Sequence, residues 1–259
     1  MKKFINILIS IFLIISCSKD GDLLKPVILE KPSEMNVFCQ RTPNDTLRKV
    51  EYEYKNDNLI TQTLFYNGKI QDKSTFEYNA DNKLILEIYE TYLRKTNKTY
   101  IYNDLNQLIN IKYKFTDFDA NGQITNESES EAPREYQNNK LAKEWEYWGG
   151  FHTYEYRGDK VVKKIDYTEN GQQHHITTFK YSGDLLIEEK KETTVGGLMY
   201  LKTYKYDSQN RLIQIQDGEN IIEENDYIDR KLIEKRTYYF GIDPGFYACY
   251  GNYIYRYEY

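Results

Sequence analysis

The stretch Tyr204-Lys205-Tyr206-Asp207-Ser208-Gln209-Asn210-Arg211-Leu212-Ile213 decides the fold, because weaker versions of it recur along most of the chain. Each version has an aromatic-x-Tyr segment, a few polar residues and then a Leu-Ile pair or a similar apolar pair. The second Tyr of the unit recurs eight times, at Tyr54, Tyr78, Tyr102, Tyr136, Tyr156, Tyr181, Tyr206 and Tyr227. This internal repeat predicts one small supersecondary element used many times in succession.

Apolar and polar residues alternate with a period of two inside each unit. Val50, Tyr52 and Tyr54 fall on one face of an extended segment, whereas Glu51 and Glu53 fall on the other. The same alternation returns at 111–115 and at 253–259. This pattern predicts half-buried antiparallel strands.

Turn signals separate the predicted strands. Dipeptides such as Asn67-Gly68, Asn121-Gly122 and Asp217-Gly218 favour tight hairpins because these residues tolerate positive φ. Each unit therefore predicts two strands, and eight units give about 16, more than a flat open sheet usually holds. We expect an all-β protein made of one long, curved antiparallel sheet of hairpin repeats. The sheet can bury its apolar face by curling into a shell or by folding into a sandwich.

The units resemble YD repeats, also called Rhs repeats. Tyr206-Asp207 matches the Tyr-Asp pair, Asn210-Arg211-Leu212 stands where the family has Gly-Arg-Leu, and residues 118–125 match with Phe118 in place of Tyr. Several units lack the Asp after the second Tyr, namely those of Tyr54, Tyr136, Tyr156, Tyr181 and Tyr227. The resemblance implies a β-sheet strip that spirals into a shell, often around a toxin, although this array looks too short to close.

The first residues predict where the protein is sent. Residues 1–16 combine Lys2 and Lys3 with an apolar segment too short to span a bilayer, which predicts a secretory signal peptide. Its end resembles a bacterial lipobox, which implies cleavage before Cys17 and a lipid on the Cys17 thiol. The run Ser18-Lys19-Asp20-Gly21-Asp22 resembles the export signals of Bacteroidota surface lipoproteins. We therefore expect an outer-membrane lipoprotein of the cell envelope, exposed at the surface if that run acts as an export signal.

Four segments follow from these patterns: the signal peptide at 1–16, a lipid anchor and tether at 17–45, the repeat array at 46–235, and capping strands at 236–259. The tether is inferred from its prolines and lack of periodicity, and the cap from its departure from the repeat. A net charge of −5 argues against a nucleic-acid partner, and 27 Tyr argue against disorder.

The sequence offers one candidate metal site. Asp117, Asp119 and Asn121, followed by Gly122, have the spacing of a calcium loop, in which oxygen ligands alternate around a sharp turn. Ser128 stands where such loops carry a bidentate Glu, and the hairpin turn of a repeat unit explains the same residues. Apart from calcium here, no cofactor is expected.

Candidate ligand and disulfide residues are also few. Trp145, Tyr147 and Trp148 form the most aromatic hairpin end and are candidates for ligand stacking, with structural packing as the alternative. Cys39 and Cys249 are the only possible disulfide once Cys17 carries lipid, and two separate thiols are the alternative.

The histidines and acidic residues predict no catalytic centre. His152 and the adjacent His174 and His175 are expected to be solvated strand-end residues, with the adjacent pair pointing to opposite faces. No nucleophile elbow, phosphate loop or paired zinc motif is present in the sequence. We therefore expect a protein that is not an enzyme.

Three functions remain open at this point. The first is a lipid-anchored envelope protein that binds a protein or a glycan. The second is an immunity or toxin-accessory lipoprotein of an Rhs-type system, in which the acidic chain meets a basic toxin. The third is a glycan-active enzyme that uses carboxylates on the concave face of the sheet.

Overall fold

The computed structural model describes residues 30–39, 42–238 and 253–259, and these residues form 18 strands. The strands are β1 (Glu34–Cys39), β2 (Thr42–Lys55), β3 (Asn58–Tyr66), β4 (Lys69–Tyr78), β5 (Leu84–Thr91), β6 (Arg94–Tyr102), β7 (Leu108–Phe118), β8 (Ile124–Gln137), β9 (Lys140–Trp145), β10 (Phe151–Arg157), β11 (Lys160–Tyr167), β12 (Gln173–Ser182), β13 (Leu185–Thr193), β14 (Leu198–Tyr206), β15 (Leu212–Asp217), β16 (Asn220–Ile228), β17 (Lys231–Thr237) and β18 (Tyr253–Glu258). Among these residues no helix could cross a bilayer.

The strands form a closed ring. Each pairs antiparallel with the strand before it and the strand after it, and β1 pairs with both β2 and β18. The predicted all-β fold of antiparallel hairpins is therefore confirmed, and the structure adds that the sheet closes into a barrel. The expectation that the array is too short to close is wrong, because β1 pairs with β18 and completes the ring.

β18 and β1 together form a ninth unit. β18 contains the Tyr253–Tyr257 alternation, and β1 follows it in the ring as β3 follows β2. Within the expected cap at 236–259, residues 239–252 lie outside the described residues, and β18 is paired on both sides instead of forming an open edge. β1 and the start of β2 fall inside the expected tether, because the alternation of Met35 with Val37 is too short to recognise in isolation.

A β-bulge explains the Leu-Ile pair of each unit. Tyr54 is opposite Leu59, whereas Glu53 is opposite Thr61, so Ile60 is an extra residue in β3. The same irregularity precedes the second Tyr of the other seven predicted units, where the extra residues are Ile85, Ile109, Ala142, Val162, Ile187, Ile213 and Ile233.

A hydrogen bond that we call the tyrosine latch joins successive units. The Tyr78 hydroxyl donates to the carbonyl oxygen of Leu59 at 3.0 Å, beyond Thr61, where the β3–β4 ladder ends. The latch is repeated at 2.9–3.0 Å by Tyr102 with Leu84, Tyr136 with Leu108, Tyr156 with Leu141, Tyr181 with Val161, Tyr206 with Leu186, Tyr227 with Leu212 and Tyr259 with Leu232. The repeated Tyr therefore satisfies a carbonyl that the bulge region leaves outside the ladder.

Turn length explains why some units lack the Asp of the YD pattern. In the longer turns the residue after the Tyr accepts two backbone N–H bonds, as Asp207 does from Gln209 and Arg211 at 2.8 and 2.9 Å. Asn79 and Asn103 act in the same way. The Tyr54 unit instead turns through Asn56 and Asp57, both at positive φ, and needs no such acceptor.

The up-and-down course gives the barrel two ends and two faces. The near end holds residues 30–33 and the turns that follow the second Tyr of each unit, and the far end holds the opposite turns. Val50 and Tyr52 pack with Met35 and Val37 in a buried cluster, which marks the inner face. Residues directly opposite each other on neighbouring strands face the same side of the sheet, so the strand pairing identifies the inner-face residues of every strand.

Candidate functional site

Three aromatic rings meet on the inner face near the far end. Tyr113 and Phe115 from β7 stack at 5.9 Å between ring centroids. Tyr147 comes from the β9–β10 turn and packs against them at 5.2 and 5.6 Å. Since 47% of Tyr147 is still exposed, this group, which we call the aromatic trio, offers a stacking surface at the barrel's far mouth.

The turn that holds Tyr147 is fixed at several points. Gly149 N–H donates to the Glu146 carbonyl at 3.0 Å, and Glu146 N–H donates to the Gly150 carbonyl at 2.8 Å. The Ser130 hydroxyl on β8 donates to the Tyr147 carbonyl. A Cβ at Gly150 would fall 2.2 Å from the Trp148 ring and 2.9 Å from the Tyr167 carbonyl oxygen, and the second contact is with the backbone, so this position favours glycine.

A row of charged side chains runs beside the aromatic trio. Registered pairs place Arg134, Glu144, His152, Asp166 and His175 side by side on the inner face of β8–β12. We call these residues the charged row. Arg134 lies 3.2 Å from Glu144, and the Tyr154 hydroxyl also donates to Glu144. Opposite charges therefore alternate along this part of the wall.

His152 is the centre of the charged row and is 7% exposed. Its Nε2 lies 2.7 Å from Glu146 Oε1, and its Nδ1 lies 2.8 Å from Asp166 Oδ1. Lys191 on β13 approaches the other oxygen of Asp166 at 2.8 Å. Two carboxylates next to an imidazole favour its cationic form.

The pKa shifts follow from these contacts. Burial opposes ionisation of His152, but its contacts with Asp166 and Glu146 outweigh burial, so its pKa is raised. Burial also disfavours the charged Asp166 carboxylate, yet His152 and Lys191 lower its pKa overall. The contact with His152 lowers the pKa of Glu146. Both acids are therefore ionised at neutral pH.

The expectation that all three histidines are solvated is wrong for His152. Period-two alternation from Tyr154 and Tyr156 would have placed it on the inner face, and that signal was available in the sequence. The adjacent pair also differs from expectation: the rings of His174 and His175 lie 3.7 Å apart, because His174 is the extra residue where β11 and β12 shift register.

The three aromatic residues predicted to stack on a ligand do not share one surface. Trp145 lies on the outer face, 6.2 Å from Phe151, with Lys143 over both rings at 4.0 Å. Tyr147 belongs to the aromatic trio on the inner face, and Trp148 is exposed at the far end. Only Tyr147 therefore belongs to the inner-face site that the aromatic trio forms.

The calcium candidates already have protein partners. Asp119 accepts backbone N–H bonds from Asn121 and Gln123, each at 2.8 Å, as the turn acceptors of other units do. Asp117 pairs with Arg94 at 2.6 Å on the inner face. The described residues include no group of three or more His, Cys, Asp or Glu side chains placed to hold a metal.

Two other predicted sites fall largely outside the described residues. Cys17 and Cys249 are both outside them, and Cys39 is described only as a residue of β1. The lipid on Cys17 and the bridge between Cys39 and Cys249 therefore stay predictions.

Exposed apolar side chains are concentrated at the far end. We call this set the far rim, and Val195 and Trp148 illustrate it at 94% and 57% exposure. Its members are Ile70, Tyr92, Leu93, Ile124, Trp148, Val195, Leu198 and Met199. Apolar patches of this kind commonly mark interaction sites.

A cavity of about 290 Å³ lies at the opposite, near end, and Lys140, Tyr154 and Tyr156 are part of its lining. Lys140 also lies over the Tyr156 ring at 5.5 Å and reaches the Gly158 carbonyl. Because the same cation position recurs over Tyr102 and Tyr181, this cavity belongs to the repeat architecture.

No family model matches the chain, and no curated protein matches it. Similar solved structures include a porin-like protein from Bacteroides uniformis, at 12% identity and a TM-score of 0.42, covering 89% of this chain and 99% of that one. A TcdB2-TccC3-Cdc42 complex matches at 10% identity and a TM-score of 0.30, covering 76% of this chain and only 12% of that one. A DUF3836 family protein from Parabacteroides distasonis matches at 21% identity and a TM-score of 0.23, covering 32% and 87%. At these TM-scores the similarities assign neither a family nor a function.

Proposed function

We propose that this protein is a lipid-anchored envelope protein that acts by binding a partner protein at its far rim, without a catalytic step of its own. The observation that carries the proposal is the separation of two features along the barrel. The chain that leads from Cys17 enters at the near end, and the exposed apolar side chains gather at the far end.

The entry point of the chain is fixed by contacts at the near end. Glu30 N–H donates to the Arg230 carbonyl at 3.1 Å, and Lys31 pairs with Asp57 at 3.3 Å. A lipid on Cys17 would therefore hold the near end toward the membrane. The far rim would face away from that membrane, where a protein partner can reach it.

The outer wall supports attachment by lipid rather than by insertion. It carries ion pairs such as Lys112 with Glu131 at 3.4 Å and Lys180 with Glu188 at 2.7 Å. A Lys or Arg facing lipid at the middle of a bilayer costs about 2–4 kcal/mol. Repeated charges on this wall favour a barrel that stands in water.

The composition of the far rim supports a protein partner. Trp148, Tyr92 and Met199 are residue types enriched at protein interfaces, and large exposed apolar side chains beside them supply area to bury. The two carboxylates that contact His152 favour recognition over catalysis. A glycosidase acid needs a raised pKa, whereas the pKa values of Glu146 and Asp166 are lowered.

A photo-crosslinking residue placed at Trp148 tests the partner surface in intact native cells. The matched control is the same residue at Leu105, which is 70% exposed but lies in a near-end turn. We expect a discrete protein adduct from position 148 and none from position 105. Equal adducts at both positions, or none at either, would contradict the proposal.

The anchor has its own test. Replacing Cys17 with Ala should abolish incorporation of a labelled fatty acid, because it removes the thiol that carries the lipid. A Cys39→Ala control should keep the label. Label retained after Cys17→Ala would contradict the lipid assignment.

A further inference from the structure

The inner wall is reached by solvent at the far mouth of the barrel, where Tyr147 is exposed. Closed barrels of 16–18 strands leave an aqueous channel. None of the described side chains is completely enclosed, and the inner-face residue Tyr147 is 47% exposed. The aromatic trio therefore borders water at this end, and the charged row lies beside it with only a small part of its side-chain surface exposed.

The aromatic trio selects for a ligand with an apolar face. Tyr113, Phe115 and Tyr147 present neighbouring rings, held by the fixed β9–β10 turn. Aromatic side chains combine a flat apolar body with a polar tip, as in Tyr. A flat or ring-shaped ligand can stack on this surface at little cost in ordering, because the rings are already placed.

The charged row selects for a ligand without net charge. Glu144 is paired with Arg134 at 3.2 Å, and Asp166 with Lys191 at 2.8 Å, while His152 lies between two acids. Lys164 also lies 3.6 Å from Asp166, so each charge on this wall already has a close partner of opposite sign and none stands alone to attract an ion. The wall instead offers donors and acceptors side by side, which suits hydroxyl groups, since each can donate and accept.

Arg134 carries a donor whose hydrogen-bonding capacity the described residues do not use. Arg134 Nη1 is buried and has no hydrogen-bond partner among the described residues, although Arg134 Nη2 contacts Glu144. A buried donor without a partner carries a free-energy cost that a ligand hydroxyl would remove.

We propose that the far mouth binds a neutral oligosaccharide, stacked on the aromatic trio, with its hydroxyls hydrogen-bonded to Arg134, Glu144 and Glu146. The sugar's ring faces supply the apolar contact and its hydroxyls meet the alternating donors and acceptors. The site lies on the inner face and the partner surface on the far rim. Because Tyr147 and Trp148 belong to the same turn, the two proposals are tested by different measurements.

Calorimetric titration of the full chain tests the proposal, with neutral glucan, mannan and chitin oligosaccharides as probes and an oligogalacturonate of equal length as the anionic comparison. We expect at least one neutral probe to bind and the anionic probe to bind more weakly. No binding by any neutral probe, or tighter binding of the anionic probe, would overturn the inference.

A pair of variants locates the binding. Tyr147→Ala should weaken the neutral probe about tenfold, which corresponds to one stacking contact. Tyr92→Ala removes an exposed aromatic ring of the far rim and should leave the affinity unchanged. Circular dichroism spectra of both variants confirm the strand content. Unchanged affinity in Tyr147→Ala would overturn the inference, and the crosslinking at Trp148 would be unaffected by that failure.

Discussion

The second Tyr of each unit acts through its hydroxyl as well as through its ring. Its position was readable from the sequence, because Tyr54 and the equivalent residues recur in a fixed pattern. The latch was not readable, because its acceptor is a backbone carbonyl in the preceding unit, as Leu84 is for Tyr102 at 2.9 Å. Every residue has a main-chain carbonyl, so the amino-acid sequence does not show which one accepts this hydrogen bond.

Tyr102→Phe tests the latch directly. It removes the hydroxyl and leaves the Leu84 carbonyl without that donor, so we expect a loss of about 1–2 kcal/mol in the free energy of unfolding, measured in urea. The control is Tyr66→Phe, because the Tyr66 hydroxyl has no hydrogen bond in the part of the chain that the structure describes. Equal stability of both variants would show that the latch contributes nothing.

His152 makes stability depend on pH in a defined direction. Its pKa is raised above 6.5, so its stabilising contribution is complete below that pH and is lost as the pH rises through the raised value. Asp166 and Glu146 have lowered pKa values, so their contributions are present above about pH 4.5 and are lost as the pH falls. The three residues together stabilise the barrel most between about pH 4.5 and 6.5.

The His152→Gln variant isolates this effect. The difference in unfolding free energy between wild type and variant should be largest near pH 6 and should shrink toward pH 9. Urea titrations at several pH values measure it. A difference that stays constant, or grows with pH, would contradict the assignment of His152 as a cation between two acids.

At the scale of strands and turns, the sequence predicted the hairpins but not the bulges. Alternation and the Asn-Gly turns indicate strands locally, because both are properties of adjacent residues. The bulge at Ile60 depends on the registers of Tyr54 and Glu53 with the neighbouring strand, which are properties of two strands together. The Leu-Ile pair was visible as a pattern, but its physical reason required the pairing.

Asp207→Ala tests the role of the turn acceptor. The change removes two backbone hydrogen bonds and the 2.6 Å contact with Arg211, so we expect a loss of about 1–2 kcal/mol in unfolding free energy. Asp159→Ala is the matched control, because the Asp159 carboxylate is 99% exposed and pairs only with Lys140 at a surface. A control variant as unstable as Asp207→Ala would contradict this account.

At the scale of the whole molecule, closure could not be read from the repeats. β1 and β18 are separated by nearly the whole chain, and neither looks like a complete unit when taken alone. Their complementarity appears only when Met35 and Val37 lie opposite Tyr257 and Tyr255. The candidate site was predictable only in part. Tyr147 was identified from the sequence, whereas its partners Tyr113 and Phe115 come near it through the pairing of neighbouring strands.

The near end, the far end and the inner face all exist only if the sheet closes into a ring. Disulfide trapping tests this closure with Val37→Cys and Tyr255→Cys in a chain whose native cysteines are Ser, since registered residues on adjacent strands lie within bridging distance. Val37→Cys paired with Tyr204→Cys on distant β14 is the control. We expect a bridge within one chain for the first pair and none for the control. No bridge for the first pair, or a bridge formed only between chains, would contradict a closed ring.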